Sequence, residues 1–395
     1  MEDRSTPLVT VNTLYDVGAR DERPDRTGFA HLFEHLMFGG TERVPDFDQI
    51  VNQVGGESNA FTTNDITNYY ITVPAQYLET ALWLESDRMR QLDFSERALQ
   101  VQQSVVTEEY HYRFLNQPYG DVWLLLRPMC YKVHPYRWCT IGSDIRHVQE
   151  ATLDDVRQFF YRHYRPCNAT LAVAGPVSDN AVCALVEKWF GDIDSGTPYR
   201  RQLPAEPVQT ESRFEEVRRE VPADKLYMAY PMMSRMGDGY HAADLISDIL
   251  GTGNSSRLFG ALVRDRELFT DIDAYITGDA DPGLFVVSGT LAEGADMDTA
   301  RQAVEAELQK VAQQPLASDE LQKVVNKAEA TFVMSQYKAQ ECALSLCYYD
   351  RLGHIEWINQ EPSFYRAVTA EEVQRVAADL FQPQRQSVLY YRKKA

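Results

Sequence analysis

Residues 27–40 read TGFAHLFEHLMFGG. The apolar residues Phe29, Ala30, Leu32, Phe33, Leu36, Met37 and Phe38 predict a helix over about 27–38, with Thr27 as its cap and Gly39 and Gly40 as its stop. On a helix, residues i and i+4 share a face, so the imidazoles of His31 and His35 can reach one ion. Glu34, three positions after His31, shares that face and can sit beside a metal without being bound to it. The bland alternative is a solvated helix carrying two unrelated histidines. Apolar residues on nearly every side argue against it, because a buried helix holding these groups has unpaired polarity to satisfy.

Working outward, residues 7–16 alternate with β-branched side chains and predict a strand before the helix. An amphipathic stretch at 46–54 and strand signals from Gly55 to Val73 follow, then helical patterns over about 75–90 and 95–115. A helix at 152–163, a strand at 169–174 and a helix at 178–190 complete the first half. Residues 195–212 are polar and proline-containing and read as a linker. Beyond it the order repeats: strand 225–230, helix 238–250, strands 271–278 and 283–290, helices 296–313 and 318–348, helix 370–381 and strand 387–392. The expectation is an α+β protein of two duplicated domains, 1–200 and 213–395. Each should be a mostly antiparallel sheet with helices packed on it, the two facing each other across a cleft.

A catalytic zinc takes three protein ligands and keeps a fourth position for water. The stretch RALQVQQSVVTEEYHYRF (97–114) offers Glu108, Glu109 and His111. Helical geometry places Glu109 with Ala98, Gln102, Val105 and Tyr112, the face read as more buried, and Glu108 with Arg97, Ser104 and His111. Glu109 is favoured, with Glu108 next.

Composition excludes several alternatives. The chain has 395 residues with 58 acidic against 39 basic side chains, a net charge of −19. A nucleic acid would be repelled, so none is expected as a partner. No apolar run reaches the roughly 18 residues of a membrane span. The six cysteines, Cys130, Cys139, Cys167, Cys183, Cys342 and Cys347, form no C-x-x-C pair and read as reduced thiols. The start, MEDRSTPLVT, has no signal-peptide pattern, and the expected location is cytoplasmic.

The spacing H-x-x-E-H is the inverted zincin signature. HLFEHLMFGG, GGESNAFTTNDITNYY and the VVTEEY helix together resemble the pitrilysin/insulysin family of zinc metallopeptidases (inverzincins), on the branch containing the mitochondrial processing peptidases. The likeness extends over nearly the whole chain, with its specific motifs within residues 27–120. It implies one zinc per chain held by His31, His35 and Glu109, with Glu34 as catalytic base. It also implies that Asn59, Ala60, Phe61 and Thr62 form a strand to which an extended peptide adds.

Three departures from the family stand out. Gln102 replaces a glutamate seven residues before the third ligand, an opening strand before 7–16 is missing, and Val263 and Thr270 replace an Arg and a Tyr that reach the substrate carbonyl. Arg264 and Tyr275 are near but out of register. The resemblance therefore implies a zinc endopeptidase acting on extended or unfolded peptides by a metal-activated water. It is expected as a dimer, preferably with a zinc-less homologue supplying the Arg and Tyr, otherwise with itself. The rival is a non-catalytic structural subunit of the same fold, which would be expected to have lost a ligand or the base.

Overall fold

The β-branched alternation of the first strand is realised in a sheet covered on both faces. In the computed structural model, which describes residues 1–394, Leu8–Tyr15 (β1) is buried at every position after Leu8. Glu57–Thr62 (β2), Thr67–Pro74 (β3) and Ala169–Ala174 (β4) join it in the order β2-β3-β1-β4, all neighbours antiparallel. Val9, Val11, Ile71 and Val73 point to one face and pack with Leu78, Ala81 and Leu82 of the helix Leu78–Arg90. Leu14, Ala172 and Ala174 point to the other and pack with Cys342, Ala343 and Cys347 of the helix Ala339–Arg351. A period of two puts alternate residues on opposite faces, so two helical layers are needed to bury one strand completely.

That second layer is why the chain does not divide at a single point. The described residues form two compact units. The first comprises Met1–Arg113, His134–Pro204 and Val333–Asn359, and the second Phe114–Val133, Ala205–Phe332 and Gln360–Ala395. The expected contiguous halves, 1–200 and 213–395, differ from this in two exchanged segments. The expected helix 318–348 breaks into Ser318–Ser335 and Ala339–Arg351, and the second piece is tied to the first unit. Arg351 Nε reaches Asp16 at 2.6 Å, and Thr170 Oγ1 donates to Asp350 at 3.0 Å. The expected linker is also anchored at both ends. Arg201 pairs with Asp16 and Asp21 in the first unit, while Gln209 Nε2 donates to Gln386 O in the second.

The second sheet contains Arg213–Arg219 (β5), Lys225–Pro231 (β6), Phe269–Ile276 (β7), Leu284–Leu291 (β8) and Ser387–Lys393 (β9). Its order is β5-β9-β6-β8-β7, so β7, β8, β6 and β9 repeat the arrangement of β2, β3, β1 and β4. The duplication extends to local devices. Gly28 and Gly239, each in a left-handed conformation, open the helices Phe29–Leu36 and Tyr240–Gly251. Thr152 and Thr369 each cap a helix by accepting from a backbone N–H three residues on. The difference lies at one edge: β5 pairs in parallel with β9, whereas beside β4 only a short parallel bridge, Glu2 to Gly175, is formed. No described helix is long and apolar enough to cross a membrane.

Candidate metal centre

Backbone sterics fix how the histidine helix begins. Gly28 has φ +88°, and a Cβ there would lie 2.8 Å from Ile141 O. Glycine meets this at little cost, other residues do not. Thr27, expected as the cap, is committed elsewhere: its hydroxyl lies 2.8 Å from His147 Nδ1 and accepts from Ser143 N at 2.9 Å. The N-terminus is instead capped by Glu22, whose carboxylate accepts from Gly28 N at 2.9 Å and Ala30 N at 2.8 Å. Burial pushes the Glu22 carboxyl well up, with these two donors pulling the other way. Sequence inspection missed Glu22 because it precedes the helix by a loop and has no capping-box spacing. The helix ends at Leu36, and Gly40, at φ +92°, turns the chain where a Cβ would lie 2.6 Å from Pro45 O.

His31 and His35 share a face as their spacing requires, their rings 4.9 Å apart and edge to face. Both present Nε2 to one oxygen, Glu109 Oε2, at 3.5 and 3.2 Å. Glu109 comes from the helix Glu96–Tyr110, on which Glu108 is exposed. One donor atom from each of the three residues lies within 4.8 Å of the others, and among the described residues no second trio of this kind occurs. Val105 and Tyr112, grouped with Glu109 as buried, are 44% and 64% exposed; the buried positions of this helix are Leu99 and Val106. Glu109 is covered by the two histidines rather than by a hydrophobic stripe.

The donor set suits a divalent cation. Tetrahedral donors about 2.0–2.2 Å from one ion lie roughly 3.3–3.6 Å apart, close to the two separations found. Burial lowers the His31 pKa to about 4, against the pull of Glu109, so its ring is neutral at neutral pH and offers a lone pair. Glu109 is held below its usual value by its hydrogen bond to His35, against burial and with further help from His31 and Arg113. Its second oxygen, Oε1, is taken by Arg113 Nη1 at 2.9 Å. Arg113 was not singled out in sequence, although a Glu–Arg pair four residues apart on a helix is a legible signal. His31 Nδ1 is buried without a hydrogen-bond partner among the described residues.

Glu34 lies on the same helix, half-buried, and Thr62 Oγ1 donates to its Oε2 at 2.6 Å. Burial raises the Glu34 pKa, with the Thr62 bond and the nearby His35 opposing the rise. Thr62 ends β2, the edge strand that also carries Asn59, Ala60 and Phe61. The partner strand β3 takes one side of β2, from Glu57 opposite Thr72 to Thr62 opposite Thr67. An edge strand is thus coupled through Thr62 to the carboxylate beside the histidines. Gln102 approaches the end of the histidine helix, its Nε2 being 3.5 Å from where a Gly39 Cβ would sit.

The residues at issue in the second unit are occupied locally. Val263 packs against its hydrophobic core, and Thr270 is exposed. Arg264 pairs with Asp265 at 2.8 Å, and the Tyr275 ring meets Trp123 edge to face at 6.5 Å.

The family profile described as Insulinase (Peptidase family M16) matches residues 1–117, and that described as Peptidase M16 inactive domain matches residues 150–328. The zinc protease PqqE of Helicobacter pylori is 27% identical over 397 residues, spanning 98% of this chain and 88% of that protein. The β subunit of the mitochondrial-processing peptidase of Caenorhabditis elegans is 26% identical over 207 residues, or 52% of this chain and 44% of that one. A crystal structure of a protease from Helicobacter pylori superposes with a TM-score of 0.91 at 26% identity, covering 98% of this chain and 95% of that one. The peptidase M16 inactive domain from Pseudomonas fluorescens reaches 0.89 at 16% identity, covering 100% and 95%, and so bears on the fold alone. Two profiles of one family, a relative spanning nearly the whole chain and a common two-unit fold agree: this chain belongs to the insulinase, or pitrilysin, family of peptidases.

Proposed function

We propose that this chain is a zinc-dependent endopeptidase for extended or unfolded peptides, with His31, His35 and Glu109 as metal ligands and Glu34 as general base. The observation that carries the reading is the Thr62–Glu34 hydrogen bond at 2.6 Å, which joins the base beside the three donors to an edge strand able to receive substrate. The zinc-protease names of its relatives support the choice of metal. The structural-subunit alternative is not favoured, since all four groups of the site are present.

Zinc held there supplies a more acidic water and polarises the scissile carbonyl. The chain's own residues do the rest. Substrate backbone pairs along Asn59–Thr62, which demands an unfolded segment and little side-chain specificity. Thr62 holds Glu34 Oε2, leaving Oε1 to take the proton of the attacking water. As the C–O bond forms and the C–N bond breaks, Glu34 returns that proton to the leaving nitrogen.

A partner chain would complete the site. Val263 and Thr270 provide no cationic or phenolic donor, and loss of one such donor typically costs about 100- to 1000-fold in rate. A zinc-less homologue carrying the Arg and Tyr would restore them; a homodimer is the alternative.

The central test is Glu34→Gln, which should abolish hydrolysis of a quenched fluorescent peptide while bound zinc stays near one per chain. Substantial residual turnover, or loss of the metal, would remove Glu34 from the role of base.

A further inference from the structure

We infer that Arg113 is the positioning residue of this site: it holds one oxygen of Glu109 so that only the other faces the histidines. The inference deepens the reading of His31, His35 and Glu109 as a zinc site and rests on it.

A carboxylate has two equivalent oxygens and can bind a cation through one or both. Here the two are already differentiated. Glu109 Oε2 lies 3.5 Å from His31 Nε2 and 3.2 Å from His35 Nε2, whereas Oε1 lies 2.9 Å from Arg113 Nη1. With Oε1 committed to the guanidinium, Glu109 is confined to single-oxygen ligation. Single-oxygen ligation keeps the coordination number low and leaves a position open for water. The ion pair that ties Arg113 to the site is the one to Glu109.

The local backbone supports a dedicated role. The α-helix ends at Tyr110 and continues as a π-helical turn over His111–Leu115 that carries Arg113. Such turns are uncommon and are often found at functional sites. The Arg113 side chain is itself 67% exposed, so a core-packing function does not account for it. The contact is an ion pair through one nitrogen, so the guanidinium's charge is what draws Oε1 away from the histidines. Partners of metal ligands typically contribute about 10- to 100-fold in metal affinity or activity.

The test compares Arg113→Gln, Arg113→Lys, Glu109→Gln and the wild type in the full chain. Zinc retention is read against a chromophoric chelator, kcat and KM with a fluorescent peptide, and the melting temperature on metal-free protein. Arg113→Gln should release zinc at an about tenfold lower chelator concentration and lose about 10- to 100-fold in kcat. KM and the metal-free melting temperature should stay near wild type. Arg113→Lys should recover part of the loss. Wild-type zinc retention and kcat in Arg113→Gln would overturn the inference, as would a loss matched by a fall in the metal-free melting temperature. If Glu109→Gln releases zinc while Arg113→Gln does not, only the positioning role fails. If Glu109→Gln also keeps its zinc, the ligand assignment itself is wrong.

Discussion

Replacing Thr62 by Val tests the link between edge strand and base with little change of shape. Valine keeps the branched side chain and suits a strand, so β2 and its pairing with β3 should persist. What is lost is one hydroxyl donating to Glu34 Oε2 at 2.6 Å. A hydrogen bond to a charged group is worth about 1.5–3 kcal/mol, which corresponds to roughly 10- to 150-fold in rate if the bond is needed to aim the carboxylate. Thr62 is not among the three donors, so bound zinc should be unchanged. The assay is kcat on a fluorescent peptide with zinc content measured on the same sample, and Thr62→Ser as the restoring control. Activity within twofold of wild type would refute the coupling. Loss of zinc with the activity would instead place Thr62 among the supports of the ligands.

The other predictions follow from equally local contacts. Glu109→Gln should lose zinc and activity together, while Glu108→Gln, altering an exposed side chain, should keep most of both; metal analysis of the two variants decides. Gly28→Ala should destabilise the first unit by about 1–3 kcal/mol in urea unfolding, because φ is +88° and the added Cβ would lie 2.8 Å from Ile141 O. Burial works against ionisation of Asp16, but Arg351 and Arg201 outweigh it and hold its carboxyl below the usual range. Its stabilising contribution is therefore present above an unfolded pKa of roughly 4 and is lost as pH falls through the lower folded value. The stability gap between wild type and Asp16→Asn should accordingly narrow in acid, as read from urea midpoints at several pH values. Mixing the chain with a zinc-less homologue from the same source should raise peptidase activity; full activity of the isolated chain would remove the need for a partner.

Much of the fold and the histidine–glutamate part of the site were legible because both rest on short-range periodicity, whereas Glu109 lies on a separate helix. His31, Glu34 and His35 sit within five residues of one helix, and β1, β3 and β4 follow from alternating apolar residues. The unread parts depend on distant contacts. The helix Val122–Cys130 contains Pro128, a residue that argues against a helix interior, yet it packs with β5, β6 and β9. Strand β5, RFEEVRR, is too charged to announce itself and is defined by its parallel pairing with β9. The helix Ala339–Arg351 looks like a continuation of its predecessor until the two faces of the first sheet are counted. Val105 shares a helical face with Glu109 but remains exposed, because periodicity identifies a shared face and not which face is covered, and Tyr112 lies beyond the α-helix in the turn His111–Leu115.

The duplication adds a reason to propose a metal at the histidine helix. Aligning the two left-handed glycines, Gly28 with Gly239, sets His31, Glu34 and His35 against Ala242, Leu245 and Ile246. All three residues of the second unit are fully buried in its hydrophobic core. The corresponding positions of the second unit are thus filled with hydrocarbon, and well-packed apolar residues often match or exceed buried polar groups in stability. The first unit carries two imidazoles and a carboxylate there, at a desolvation cost registered in the lowered pKa of His31 and the raised pKa of Glu34. Stability alone would not keep such a set in place. A cation bridging His31, His35 and Glu109 would offset that cost, whereas the second unit has no such cost to offset. Substituting His31, Glu34 and His35 together with Ala, Leu and Ile should thus yield a folded first unit with no zinc and no peptidase activity. Its melting temperature should be at least that of the metal-free wild type. A marked fall, once expression of a monodisperse protein is confirmed, would mean that the polar set itself supports the fold.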